Sequence, residues 1–430
     1  MRGRLPATLR IYGGLAAAAT PLIPVLLARR LKRGKEHPSR IGERRGRAVL
    51  ARPPGALVWV HGASVGEILA ILPLVEQICA SGLSALVTSG TVTSARVIER
   101  RLPARAIHQF VPLDAPRFIA SFLDHWQPDL GLLAESDLWP NLILACADRT
   151  IPLVLINGKL SEKSFARWRR LPASIAALLS RFELCLAQSA ADGQRLTELG
   201  APRVHVTGNL KLDVPAPPVD VHRLEAMRSA LGARPVVAAA STHPGEEAVA
   251  IDVHRRLREH FAGLLTIVVP RHPERGASIA ELATAAGLQT ALRSHGGDPE
   301  AGTEIYVADT IGELGLFYRL APIVFMGGSL IRHGGQNPIE AAKLGAAIVH
   351  GPHVWNFAEI YAALDGSNAA LCVPDTSSLT TAMDAWLANT AARAAVSEAA
   401  TKTVEELGGA MDRTLGALEP HFMRLRVESR

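Results

Sequence analysis

The side chains best suited to chemistry occur in short polar clusters, each placed where an apolar run ends. In WVHGASVGE, residues 59–67, an apolar run ends at His61. The small residues Gly62, Ala63, Ser64 and Gly66 follow, and Glu67 opens a helix. A carboxylate in a first helical turn is stabilised by the helix dipole, so Glu67 reads as a cap or, if partly buried, as a general base. ESDLWPN, residues 135–141, sets Glu135 and Asp137 two apart. Both could meet a hydroxyl-rich substrate, or simply cap a helix before Pro140. NGKLSEKS (157–164) and GNLKLD (208–213) place Lys159 and Lys211 where each could meet an anion. A lone lysine is most often a solvated surface charge.

The second half carries the anion chemistry. STHPGEE (241–247) reads as a capping arrangement, with hydroxyls ahead of Glu246 and Glu247. In PRHPER (270–275), Arg271 could make a two-pronged pair with a phosphate, while His272 between prolines reads as structural. FMGGSLIRHGGQNPIEAAKLG (325–345) has two glycine pairs ahead of Asn337 and Pro338. Pro338 suits the first helical position, which leaves Asn337 as N-cap and Glu340 in the first turn. Free N–H groups there would cradle a phosphate and Glu340 would meet ribose hydroxyls; the bland alternative is a tight turn. The pattern is neither GxxxxGK[ST] nor GxGxxG, which argues against an NTPase or a dehydrogenase. No HExxH or other metal spacing occurs.

Elements with a common direction must position these clusters. Apolar runs at 56–61, 84–88, 107–111, 129–134, 151–156, 183–187 and 203–207 are continuous rather than alternating, as parallel strands covered on both faces require. A second series follows at 236–240, 264–269, 304–308, 323–326, 346–349 and 370–373. Between them DVPAPPVD, residues 213–220, reads as a stiff linker. The pattern predicts an α/β protein of two Rossmann-like parallel-sheet domains, residues 51–214 and 215–390, facing a cleft, with a helical tail over 391–430. At 430 residues, two domains are the ordinary outcome, and 48% hydrophobic with 20% charged residues excludes disorder and coiled coil. Cys79, Cys146, Cys185 and Cys372 form no CxxC pair, which favours reduced thiols over a disulfide framework.

The net charge of +6 is unevenly spread. Residues 1–50 hold 12 Lys or Arg against Glu36 and Glu43, a balance of +10, so the remainder carries −4. Such a body argues against nucleic acid as a partner. From Ile11 to Ala28 there is no charge, with Arg2, Arg4 and Arg10 before it and Arg29, Arg30, Lys32, Arg33 and Lys35 after it. Residues 1–50 are therefore expected to anchor the chain at a membrane, spanning or shallow, with the cations against anionic lipid; the alternatives are a cleaved signal and a buried helix of a soluble protein. Gly13, Gly14, Pro21 and Pro24 weaken a straight helix there.

Taken in order, HGASVGE, ESDLWPN, GNLKLD, STHPGEE, PRHPER, GGSLIRHGGQNPIEAA and GPHVWNF resemble the 3-deoxy-D-manno-octulosonic acid (Kdo) transferases of lipopolysaccharide synthesis, over residues 61–357. The resemblance implies an inverting GT-B glycosyltransferase with CMP-Kdo as donor and the lipid A precursor lipid IVA as acceptor. It also implies no metal, no further cofactor, and a place on the cytoplasmic side of the bacterial inner membrane. It carries the general base to Glu67 and transition-state support to Asp137 and Lys211. CMP recognition falls to Pro270 and Arg271, to Gly312, Glu313 and Leu314, and to Asn337, Pro338, Ile339 and Glu340. Two positions depart from the family pattern: Asp137 is one methylene shorter than the usual glutamate, and Lys159 replaces an arginine. Rival readings are a nucleotide-sugar epimerase or another lipid-linked sugar transferase of the same fold, and a catalytically silent nucleotide-sugar-binding protein.

Overall fold

The computed structural model describes residues 5–428; Arg2 and Arg4 of the basic flank lie outside them. The chain divides into two compact units, one of residues up to Val214 plus those from Gly408 onward, the other Pro215–Leu407.

The first unit is built on β1 (Leu57–Gly62), β2 (Ser84–Ser89), β3 (Ala106–Phe110), β4 (Leu130–Ala134), β5 (Leu153–Gly158), β6 (Phe182–Ala187) and β7 (Val204–Val206). They form one sheet in the order β3-β2-β1-β4-β5-β6-β7, with every pairing parallel. Every residue of β1, β4 and β5 is buried, as expected of strands covered on both faces. On one face lie Ile68, Ile71, Leu74 and Val75 of helix Val65–Ala80; on the other lie Ile119, Phe122, Leu142 and Ile143.

The second unit repeats the plan with β8 (Val236–Thr242), β9 (Leu265–Pro270), β10 (Thr290–Leu292), β11 (Ile305–Val307), β12 (Ile323–Met326), β13 (Ala347–His350) and β14 (Ala370–Cys372). Its order is β10-β11-β9-β8-β12-β13-β14, again wholly parallel. Apolar continuity located every strand except β10. That strand is three partly exposed residues at the sheet edge, with no buried run to betray it.

Two expectations need correction. The carboxyl-terminal tail is divided: helix Thr390–Glu406 belongs to the second unit, whereas helix Ala410–Glu428 returns to the first. There Leu418, Phe422 and Leu425 join the core beside helix Val65–Ala80, and Asp213 accepts from Gly409 N at 2.7 Å and from Met411 N. Nor do residues 1–50 stand apart from the domain expected to begin at residue 51, because they belong to the first unit. Their only two acids are buried and neutralise three of the arginines: Glu36 binds Arg30 (2.7 Å) and Arg44 (2.9 Å), and Glu43 binds Arg40 (2.8 Å). Arg44 also donates to the carbonyls of Val111 and Gly90, and Glu43 accepts from Phe110 N, which ties the segment to the β3 edge.

A continuous helical run, Ala7–Lys32, is long and apolar enough to cross a membrane. Pro21 is absorbed in a tight turn, Thr20–Leu22, and Pro24 in the first turn of the helix that follows, Ile23–Lys32. One stripe of it faces the domain: Leu9 is in the core, Gly13 abuts Asn141, Tyr12 donates to Asp114 (3.0 Å), and Leu27 is buried. Ile11, Leu15, Leu22, Val25 and Leu26 are exposed.

Candidate functional site

In an open parallel sheet a ligand enters where the strand order reverses, at the carboxyl ends of the strands. In the first sheet that point lies between β1 and β4, and it gathers Glu67, Glu135, Asp137, Lys211 and His61. Ser64 caps helix Val65–Ala80, and its hydroxyl donates to Glu67 Oε1 (2.6 Å) while Ala63 N donates to Oε2 (2.9 Å). The cap and base readings of Glu67 therefore describe one geometry, because the cap holds the carboxylate still at the strand end. Burial raises its proton affinity above the usual value of 4.5, the Ser64 bond opposes this, and the charges of Glu135 and Asp137 add to it.

The neighbours are paired. Lys211 Nζ binds Glu135 Oε1 at 2.5 Å. Asp137 accepts from His61 Nε2 (3.2 Å), and His61 Nδ1 meets the Thr88 hydroxyl (2.8 Å), which also accepts from Trp59 Nε1 (2.9 Å). Glu135 has a left-handed backbone (φ 57°), a conformation that costs a non-glycine residue about 1–3 kcal/mol and is concentrated at functional sites. Asn157, also left-handed (φ 50°), accepts from Leu210 N through Oδ1 (2.9 Å) and so fixes the turn that carries Lys211. Sequence reasoning carried Asp137 and Lys211 forward and offered Glu135 as a substrate contact, but it paired none of them and left out His61 and Asn157 as working groups. The pairs are 76 residues apart, so no local spacing announces them. Lys159 lies on the loop after β5.

In the second sheet the order reverses between β8 and β12. Gly327 is required there, because a Cβ would stand 2.5 Å from Ser241 O. Gly334 (φ 107°) and Gly335 (φ 76°) turn the loop back, with Gly335 N donating to Gly328 O at 2.8 Å. The loop is held from below by Glu246, wholly buried, whose carboxylate accepts from the backbone N–H groups of His243 (3.1 Å), Gly328 (2.6 Å), Ser329 (3.0 Å) and Leu330 (3.1 Å). Sequence reading took Glu246 for a helix cap, since three of its four partners lie 82–84 residues downstream. Glu247, read the same way, forms an ion pair with Arg275.

Pro270 ends β9, and Arg271 follows with an exposed side chain. Arg271 lies close enough to Glu340 to oppose the rise in proton affinity that burial gives that carboxyl. These two expected residues are thus brought together. Asn337 does not hold the expected N-cap. Its Oδ1 accepts from Ile339 N (3.1 Å) across Pro338, which is itself the cap, and helix Ile339–Lys343 has only five residues. So short a helix has little dipole, and the cradle rests on the glycine loop instead. Gly312 (φ 90°), Glu313 and Leu314 follow β11, with both Glu313 oxygens held by Arg293 (2.6 and 3.0 Å). That pairing keeps Glu313 below the usual carboxylate range, so this segment has its backbone to offer a ligand.

Two comparisons with known proteins bear on this arrangement. A family model described as 3-deoxy-D-manno-octulosonic-acid transferase (kdotransferase) matches residues 39–214. The chain is 37% identical over 428 residues to the 3-deoxy-D-manno-octulosonic acid transferase of Bordetella pertussis, covering 95% of this chain and 98% of that one. Against the enzyme of the same name from Haemophilus influenzae it is 33% identical, covering 96% and 98%. The chain belongs to the Kdo transferase family. Solved structures with 13% identity share the fold alone. They include a glycosyltransferase from Rickettsia africae (TM-score 0.60, 86% of this chain and 98% of that one) and a UDP-GlcNAc 2-epimerase from Neisseria meningitidis (0.60, 85% and 100%). As a Kdo transferase the chain is a glycosyltransferase with the two Rossmann-like domains of the GT-B class. The epimerase reading falls, because it has only the shared fold behind it.

Proposed function

We propose that this Kdo transferase moves Kdo from CMP-Kdo to lipid IVA with inversion, using Glu67 as general base. The observation that carries this is Glu67 itself, a carboxylate fixed by two hydrogen bonds at the switch point of the first sheet, with its proton affinity raised toward working pH. Glu67 takes the proton of the acceptor hydroxyl as that oxygen bonds to the anomeric carbon. The bond from that carbon to the phosphate oxygen breaks on the opposite face, and CMP leaves with the electron pair. Asp137 and the Glu135–Lys211 pair supply fixed charges around the reacting hydroxyl.

The donor's nucleotide falls to the second unit, at Pro270–Arg271, Gly312–Leu314 and Asn337–Glu340. Arg271 and the backbone of the glycine loop offset the charge of the leaving phosphate, so the scheme calls on no metal. The acceptor is an anionic lipid. We assign helix Ala7–Lys32 to the inner membrane, with Arg29, Lys32, Arg33 and Lys35 on anionic headgroups at the cytoplasmic side. The test is mass spectrometry of lipid IVA incubated with the full chain and CMP-Kdo generated in place. A gain of one or more Kdo units is expected; a folded chain that binds CMP yet leaves lipid IVA unchanged would point to another acceptor.

A further inference from the structure

Three histidines reach the carboxyl edge of the second sheet from three segments: His243 after β8, His272 after β9, and His333 in the glycine loop after β12. The His243 and His333 rings lie against each other at a tilt, with centroids 3.7 Å apart and planes at 34°; His272 stands edge-on to His243 at 6.0 Å. His243 is only 5% exposed whereas the other two are exposed, so a buried ring forms the floor and two open rings the walls. The cluster sits at the β8/β12 switch point, where a parallel sheet admits its ligand. No three His, Cys, Asp or Glu side chains among the described residues converge as metal ligands, so the trio calls for a different occupant.

The charged groups around the cluster favour an anion. From the β9 side come Arg271, Arg275 and Glu274; from the helix after β8, Glu246 and Glu247; from the glycine loop, Arg332. Glu246 is engaged by four backbone N–H groups, Glu247 by Arg275, and Glu274 lies 3.7 Å from His272 Nδ1. Gln336 Nε2 stands 2.9 Å from His243 Nε2. An amide nitrogen only donates, so that ring nitrogen accepts and His243 is neutral. Protonating it requires the Gln336 amide to turn and present its oxygen. Burial, then His333, His272 and Arg271, hold His243 down to about 4, with Glu247 opposing. An anion among these groups opposes the repulsion from the neighbouring cations and favours a proton on the cluster.

We propose that His243, His272 and His333, with Arg271, form a receptor for an oxyanion of the donor and take up a proton as it binds. This rests on the donor reading above. The oxyanion is the nucleotide phosphate or the sugar-acid carboxylate, which share the same chemistry. The proton comes from solvent and leaves with the product.

The test is calorimetry on the full chain between pH 6 and 8, in two buffers of different ionisation heat. Cytidine 5′-phosphate methyl ester serves as a probe whose charge is fixed over that range, and cytidine as the anion-free control. If binding takes up a proton over this range, ester binding tightens by about tenfold from pH 8 to 6, while cytidine shows neither effect. His333→Asn, at an exposed position, and His243→Asn flatten that dependence. If the carboxylate is the source, the ester is flat and Kdo added to the ester-saturated chain carries the proton. Ester and Kdo binding without proton uptake, or uptake undiminished in His333→Asn, overturns the proposal and leaves the donor reading standing. An ester that does not bind at all overturns both.

Discussion

Glu246→Gln isolates the contribution of one buried carboxylate to the donor loop. Each Glu246 oxygen accepts two backbone N–H groups, Oε2 from His243 and Gly328, Oε1 from Ser329 and Leu330. Glutamine keeps one such oxygen and turns an NH2 toward the other two donors, so two buried N–H groups lose their acceptor. At about 1–3 kcal/mol for each unsatisfied group, the loss is roughly 2–6 kcal/mol. Much of it can be relieved if the loop over 327–335 opens, at the expense of donor binding. Urea unfolding followed by circular dichroism reads the stability, and CMP titration reads the loop. The expected result is a lower midpoint together with CMP binding weakened at least about tenfold, which corresponds to 1.4 kcal/mol of the loss. A variant within about 0.5 kcal/mol of wild type, the range of an inconsequential surface change, with CMP affinity intact, would refute the assignment of Glu246 as the support of this loop.

Other outcomes follow from the same geometry. Lys211→Met and Glu135→Gln should each lower stability and turnover, and a double-mutant cycle should return a coupling of about 0.5–3 kcal/mol, whereas strict additivity would mean the 2.5 Å pair has no energetic weight. Acid should destabilise the chain through His108 and His254, which burial above all holds neutral down to about 3 and about 4. The unfolded chain takes up their protons near 6.5 and the native one does not. Stability is therefore complete above pH 6.5 and falls as pH drops toward 4, by about 1.4 kcal/mol per pH unit for each histidine. Urea midpoints at pH 7 and 5 check this, and His108→Asn should remove one proton from the slope. Leu15→Glu and Leu22→Glu, at positions 66% and 69% exposed, should each weaken flotation with anionic vesicles about tenfold or more while leaving the fold unchanged; unaltered flotation would count against this face as the membrane contact.

How much of this could be read in advance depended on the range of the interaction. Strands buried on both faces announce themselves as unbroken apolar runs, so the two sheets and the strand ends that bear the clusters were readable from composition and order alone. β10 was missed because its three residues are all partly exposed and form no such run. Glu67 was readable because its partners Ala63 and Ser64 are four and three residues away. The support role of Glu246 and the pairing of Glu135 with Lys211 were not, because each carboxylate serves a segment some 80 residues distant and reads locally as a helix cap. The charge of residues 1–50 misled for the same reason. A count sees Glu36 and Glu43 as two minor acids, whereas the fold buries both and uses them to hold Arg30, Arg40 and Arg44.

The base assignment is tested most directly by single-turnover transfer from CMP-Kdo to lipid IVA with wild type and Glu67→Gln, alongside CMP affinity and urea stability for both. Glutamine keeps an acceptor for Ala63 N and so preserves most of the cap. The account predicts unchanged CMP binding, a stability loss of about 1 kcal/mol or less, and a rate lower by about 100-fold to 10,000-fold. The wild-type rate should rise with pH through a midpoint above the usual carboxylate value of 4.5, and that limb should vanish in the variant. A folded Glu67→Gln chain that transfers Kdo within a few-fold of wild type, with the limb retained, would contradict Glu67 as the base.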